Sequence, residues 1–344
     1  MLAFFLGVLL FSFFSTSILV IPFINFLYRI SFTRKKQKTK DFQDQRTPIF
    51  DRFHKDKAGT PVGGGILVII SVSLLYLFLF SLIKASSFSI SANYPATKEL
   101  NIVFFVFLSF GLLGFYDDIM KLFGFKRTGF FGLRMRFKLL LQILLAGLAS
   151  ALIYFQLGIN FINLPLLGPL HLGLFFPILS TFLIVIFANA YNITDGLDGL
   201  SSGLLMICLF AFWLLSATAL DTPISLFLAL WIGAIIAFLY FNVFPARIWL
   251  GDTGSLSFGA TIAVIAILIG KTIPLLIIGA PFLIEFTSSF LQIMSKQLTH
   301  KKLFPAAPIH LTLQDMGWEE PKIVARAWLA GIIFAIFGLW LALL

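Results

Sequence analysis

A chain of 344 residues that is 59% hydrophobic and 12% charged is not an ordinary water-soluble domain, because soluble proteins run at about a quarter charged. Its single cysteine, Cys208, excludes an internal disulfide and any cysteine-based metal cluster. The net charge of +10 does not argue for nucleic acid, since the basic residues are gathered between apolar runs, where membrane topology accounts for them.

Ten apolar runs follow one another, at about 2–28, 62–83, 101–116, 138–157, 173–190, 199–217, 223–243, 254–270, 272–295 and 323–343. A helix needs about 20 apolar residues to cross the hydrocarbon core of a bilayer, so each run reads as a span. The 43 Phe residues suit surfaces that face lipid. The first run has no basic stretch ahead of it and no small-residue cleavage site behind it. It therefore reads as a retained helix and not as a signal peptide. The third run is short, and only Lys271-Thr272-Ile273-Pro274 parts the eighth from the ninth. The expectation is an all-α polytopic membrane protein of about ten transmembrane helices. It forms one integral membrane domain over residues 1–344, with no separate soluble domain and no inverted repeat.

Lysine and arginine orient the spans. Residues 29–61 carry ten of them, 117–138 six, the neighbourhood of Arg247 one and 296–326 five, against Lys84, Lys98 and Lys271 on the other side. By the positive-inside rule the four basic regions and the short turn at 191–198 face the cytoplasm, which puts both termini on the non-cytoplasmic side.

The carboxylates follow the same geography. Of eleven Asp, four lie in the first basic loop, and Asp221 and Asp315 read as loop residues. The other five are different. Asp117 and Asp118 end the third span, Asp195 and Asp198 end the fifth, and Asp252 opens the eighth. The topology drawn from Lys and Arg brings all five to one membrane face, where carboxylates are costly and usually functional. Five converging anions repel one another unless a cation neutralises them, and oxygen-only ligands favour a hard ion such as Mg²⁺. Asn189 and Asn192 add neutral donors and acceptors close to Asp195. The turn Gly251-Asp252-Thr253-Gly254-Ser255 leads into a helix whose free N–H groups can hold a phosphate oxygen. On the basic side, Lys57 precedes Gly63-Gly64-Gly65, and Lys121 stands four residues after Asp117, on the same helical face. Lys138 and Gln142 form a further polar pair at the start of the fourth span.

The pieces Lys-Ala-Gly-Thr-Pro (57–61), Tyr-Asp-Asp-Ile-Met-Lys (116–121), Asn-x-x-Asn-x-x-Asp-Gly-Leu-Asp-Gly-Leu (189–200), Phe-Asn-x-x-Pro-Ala (241–246), Gly-Asp-Thr-Gly-Ser (251–255) and Ala-Pro-Ile-His (307–310) occur in that order. Gly317-Trp318, Glu320, Lys322, Arg326 and Trp328 complete the series. In these motifs, from about residue 50 to 328, the chain resembles the phospho-N-acetylmuramoyl-pentapeptide transferases, within the polyprenyl-phosphate N-acetylhexosamine-1-phosphate transferase superfamily. The resemblance implies a Mg²⁺-dependent enzyme of the bacterial cytoplasmic membrane. It would transfer phospho-MurNAc-pentapeptide from its UDP derivative to undecaprenyl phosphate, giving lipid I and UMP. Asp252 matches the Mg²⁺-binding position, with Asn192 as its companion, and Asp117 and Asp118 match the essential pair, one of which would act on the lipid phosphate. Asn189, Asn192, Asp195 and Asp198, with Gly251, Gly254 and Ser255, match the nucleotide and substrate side. Lys57, Lys121 and His310 match phosphate-side residues, and a homodimer is implied by the resemblance alone.

The chain departs from the pattern at two places, one being Val62-Gly63 where Thr-Met usually precedes the Gly pair of the second span, the other the histidine motif. Three consecutive His followed by Phe-Glu are usual after Ala-Pro-Ile, whereas His310-Leu311-Thr312-Leu313-Gln314 stands here. This leaves a sister transferase acting on UDP-GlcNAc as an alternative. A transporter is the rival of another class, but it predicts carboxylates near the midplane, where only Glu285 is expected.

Overall fold

The structure, a computed structural model, describes residues 2–33, 59–85, 91–123, 133 and 135–344. Lys57 lies outside the described residues. The helices are α1 (Leu2–Arg29), α2 (Gly64–Ala85), α3 (Ala96–Phe123), α4 (Met135–Leu157), α5 (Phe175–Thr194), α6 (Leu200–Thr218), α7 (Thr222–Asn242), α8 (Gly251–Leu268), α9 (Thr272–Ile278), α10 (Ala280–Thr299), α11 (Ile309–Asp315) and α12 (Glu320–Leu343). Among the described residues nine helices are long and apolar enough to cross a membrane. Counting the bent pair α9 and α10 as one span brings the number to ten. The all-α reading with about ten spans therefore holds.

Three details differ from the hydropathy reading. Helix α3 runs well past 101–116 at both ends, because Asp117, Asp118 and Lys121 are bonded to partners inside the fold and do not mark a water boundary. The ninth span is broken by 74° at Gly279. Pro281, in the first turn of α10, supplies no N–H to continue the preceding ladder. Asp221 is not a solvated loop residue but the N-cap of α7. It is fully buried, and it accepts from Ile224 N at 3.1 Å and Asn93 Nδ2 at 3.4 Å. Burial pushes its carboxyl above the usual range. A small antiparallel hairpin, β1 (Phe161–Leu164) with β2 (Gly168–His171), joins α4 to α5.

The core is made where helix backbones come close. Helix α8 is almost wholly enclosed, and α7 nearly so, so lipid meets the outer helices and not these two. Between helices in a membrane there is little hydrophobic driving force, and small residues that admit close van der Waals packing take its place. Gly114 of α3 is such a residue: a Cβ there would come within 2.1 Å of the Asp252 carbonyl oxygen. One turn deeper, Ser257 Oγ donates to Phe107 O at 2.6 Å. Phe107, Phe227, Trp231 and Phe258 pack around that crossing, edge to face except for the stacked Phe107–Phe258 pair, with ring centroids 5.1–5.9 Å apart. The α3–α8 contact thus sets the spacing between Asp117 and Asp252. Gly114→Ala is expected to push the two helices apart, costing about 1–3 kcal/mol. The fall in thermal midpoint in detergent measures it, and an unchanged midpoint would contradict the close contact.

Candidate active site

The inner ends of α3, α4 and α8 bring four charges together. Asp117 Oδ2 lies 3.0 Å from Lys121 Nζ and 2.9 Å from Lys138 Nζ. Asp252 Oδ2 lies 2.7 Å from Lys121 Nζ and also bonds Lys138 Nζ. Two ammonium groups therefore bridge two carboxylates in a closed, neutral ring. The i,i+4 spacing supplies the Asp117–Lys121 side of it. Leu133 N donates to the other oxygen of Asp117 at 2.7 Å. Lys138 is the member that motif matching did not single out. Its signal was an isolated Lys with Gln142 at the start of an apolar run.

Asp118 points elsewhere. Its Oδ1 accepts from Asp252 N at 3.0 Å, and its Oδ2 accepts from Thr253 N at 3.0 Å and Thr253 Oγ1 at 2.8 Å. The residue is 2% exposed. The free N–H groups at the start of α8, expected to hold a phosphate, are thus occupied by the chain's own carboxylate. An anion at a helix N-terminus is favoured by the dipole whatever its source. Gly251 makes the approach possible, with φ at +81° and no side chain: a Cβ would meet Asp118 Oδ2 at 2.7 Å. Gly254 fits the same way against Leu250 and Gly65.

The second half of the site is the turn after α5. Asn192 Nδ2 donates to Ser255 Oγ at 2.6 Å, which ties it to α8 beside Asp252. Asn189 is held by Gln142 Oε1 at 2.7 Å and Val185 O at 2.8 Å. Asp195 accepts from Ser201 Oγ and stays partly exposed. Asp198 is buried and braces the loop before α8, accepting from Ala246 N at 3.0 Å and Trp249 Nε1 at 3.2 Å. The Gly-rich entry to α2 docks on that loop, with Gly64 N to Trp249 O at 2.8 Å and Gly65 N to Leu250 O at 2.9 Å. His310 is 1% exposed and lies against Gly196. The structure therefore joins Asp117, Lys121, Lys138 and Asp252 directly. It links Asn192 and Ser255 to them, and turns Asp118 and Asp198 into braces.

Comparison with known proteins identifies the family. The family model described as glycosyl transferase family 4 matches residues 100–270. A phospho-N-acetylmuramoyl-pentapeptide-transferase of Bacillus pumilus (strain SAFR-032) is 35% identical over 330 residues, covering 95% of this chain and 95% of that protein. The chain belongs to the phospho-N-acetylmuramoyl-pentapeptide-transferase family. Family members from Bacillus subtilis (strain 168), 36% identical over 84% of this chain and 85% of theirs, and from Rickettsia prowazekii (strain Madrid E), 36% identical over 83% and 80%, are similar too. This transferase chain is a multi-pass membrane protein of the family by its sequence and by its apolar helices alike.

In this family member the different partners of the two adjacent aspartates are open to test. Asp118→Asn turns an amide donor toward the N–H groups of Asp252 and Thr253. Hydrogen exchange of the peptide spanning them is expected to quicken on the order of tenfold, the cost of one broken buried bond. Asp117→Asn should leave that peptide protected. Equal protection in both variants would contradict the assignment.

Proposed function

We propose that this transferase moves phospho-MurNAc-pentapeptide from UDP-MurNAc-pentapeptide to undecaprenyl phosphate, releasing UMP and forming lipid I, at the cytoplasmic face of a bacterial inner membrane. The observation that carries the reading is the ring of Asp117, Lys121, Lys138 and Asp252, set within a family whose curated members bear that activity in their name. The asymmetry of Lys and Arg supports a cytoplasmic site and non-cytoplasmic termini.

The reaction brings an anionic phosphate to an anionic diphosphate. An oxygen of the lipid phosphate bonds to the phosphorus that carries the sugar, and the bond from that phosphorus to the UMP oxygen breaks. Lys121 and Lys138 offset the charge that builds on the oxygens, and an incoming diphosphate competes with Asp117 and Asp252 for the same ammonium groups. Asp117 is the member of the aspartate pair bound to the two lysines, whereas Asp118 is saturated by the start of α8. We assign Asp117 to orient the lipid phosphate and to take its proton when it arrives protonated. Asn192 and Asp195 face the nucleotide side in this reading. Lys57 belongs to the phosphate side by its motif.

The oxygens of Asp252 and Asn192 are hard ligands of the kind Mg²⁺ takes, and the sole thiol, Cys208, is buried elsewhere; among the described residues no three His, Cys, Asp or Glu side chains converge as a ready-made metal cage. Asp252, with Asn192 beside it, would hold the ion. When bound, Mg²⁺ supplies charge neutralisation on the diphosphate and on the departing UMP.

Purified protein in detergent, given undecaprenyl phosphate and Mg²⁺, should release UMP from UDP-MurNAc-pentapeptide and not from UDP-GlcNAc. Asp252→Asn should lower the rate by about 10²–10³-fold, the usual scale for losing one electrostatic stabiliser. Turnover with UDP-GlcNAc alone would move the chain to the sister activity, for which Leu311 and Thr312 at the altered motif are the structural reason.

A further inference from the structure

Three further contacts on the turn after α5 come from the C-terminal part of the chain. The backbone N–H of Asp198 donates to Glu320 Oε1 at 2.6 Å. Trp328 Nε1 donates to Gly199 O at 3.2 Å. The His310 ring lies on Gly196, where a Cβ would come within 2.4 Å of its Nε2. His310 in turn is fixed by Glu285, whose Oε2 sits 3.0 Å from the ring Nδ1 and 3.4 Å from the backbone N. With Glu285 on the Nδ1 side of the ring, Nε2 is the nitrogen turned toward Gly196.

Both carboxylates are expensive to keep where they are. Glu285 is 7% exposed and Glu320 is 9% exposed, and a buried carboxylate is tolerated only when its bonds are made. Glu285 stands on α10, beyond the 74° break in the ninth span. Glu320 opens the last span. The residues beside His310 have been given over to packing: Leu311 is buried, and Thr312 Oγ1 donates to Ala306 O. One imidazole, held by one carboxylate, makes the contact to the turn.

We propose that Glu285 and Glu320 are positioning residues for the nucleotide half of the site, setting the place of the Asp195–Gly199 turn without touching substrate. The inference rests on the reading above that this turn faces the UDP-sugar. It goes further in assigning two residues whose effect falls on the nucleotide substrate and spares the lipid one. The lipid phosphate side is built separately, on Asp117, Lys121 and Lys138.

The test is steady-state kinetics with each substrate varied in turn, together with calorimetric binding of UDP. Glu285→Ala and Glu320→Ala are expected to raise KM for UDP-MurNAc-pentapeptide, and Kd for UDP, on the order of tenfold, as for one lost charge-assisted bond. KM for undecaprenyl phosphate should change by less than about twofold. Glu285→Gln and Glu320→Gln keep an accepting oxygen and should return the nucleotide values to within about threefold of wild type. Should the Ala variants fail to fold, Glu285→Asp and Glu320→Asp, which keep the charge but shorten the reach, carry the same expectation. Equal changes for both substrates, or a lowered thermal midpoint with unchanged nucleotide KM and Kd, would overturn the proposal while leaving the transferase reading intact. Wild-type protein that binds no UDP and releases no UMP would overturn both. Binding without turnover would leave the UDP measurements on the variants to decide.

Discussion

Two lysines and two aspartates from three helices hold one end of this helix bundle together, and most of the rest is arranged so that they can meet. Charges withdrawn from water are costly, and a buried pair is tolerated only when geometry and further hydrogen bonds compensate. The ring meets that condition by closing on itself: Asp117 Oδ2 and Asp252 Oδ2 are each shared by Lys121 and Lys138. Its two lysines and two aspartates balance in formal charge. That is a useful state for a site that must receive two phosphates. The ammonium groups are already present, and an anionic substrate only has to exchange places with carboxylates.

Around the ring, the chain spends polar groups to fix backbone. Asp118 caps α8 so that Asp252 is presented at a defined depth. Asp198 ties the Ala246–Trp249 stretch to the turn after α5, and the Gly-rich start of α2 closes over the same stretch. Residues that look alike in sequence therefore do different jobs. Within each aspartate pair, one carboxylate stays toward the site and the other is consumed in bracing. The glycines at 114 and 251 serve the same end, since a side chain at either would strike the opposing backbone or carboxylate.

Much of this was legible in the amino-acid order. Ten spans, one charged face and the five aspartates follow from apolar periods and from the bias of Lys and Arg, because bilayer thickness and loop charge act on composition directly. The Asp117–Lys121 pair followed from helical spacing. What stayed hidden depends on tertiary direction. Asp117 and Asp118 are adjacent, and no pattern says which faces α8. Lys138 read only as a polar pair with Gln142, and it takes the packing of α4 against α3 to set it on Asp117. Glu285 read as a lone mid-membrane acid, because its partner His310 lies 25 residues on, past the end of α10.

The account stands or falls on whether the charges in the ring support one another. A double-mutant cycle on Asp117→Asn and Lys138→Met, read as unfolding free energy in mixed micelles, measures that directly. Removing either partner alone leaves an uncompensated buried charge, a loss of about 3–5 kcal/mol in such settings. Removing both should cost distinctly less than the sum, with a coupling of at least about 1 kcal/mol. Additive losses would mean that the two groups do not share their charge in the folded protein, and the ring could not be the constraint on which the site is built.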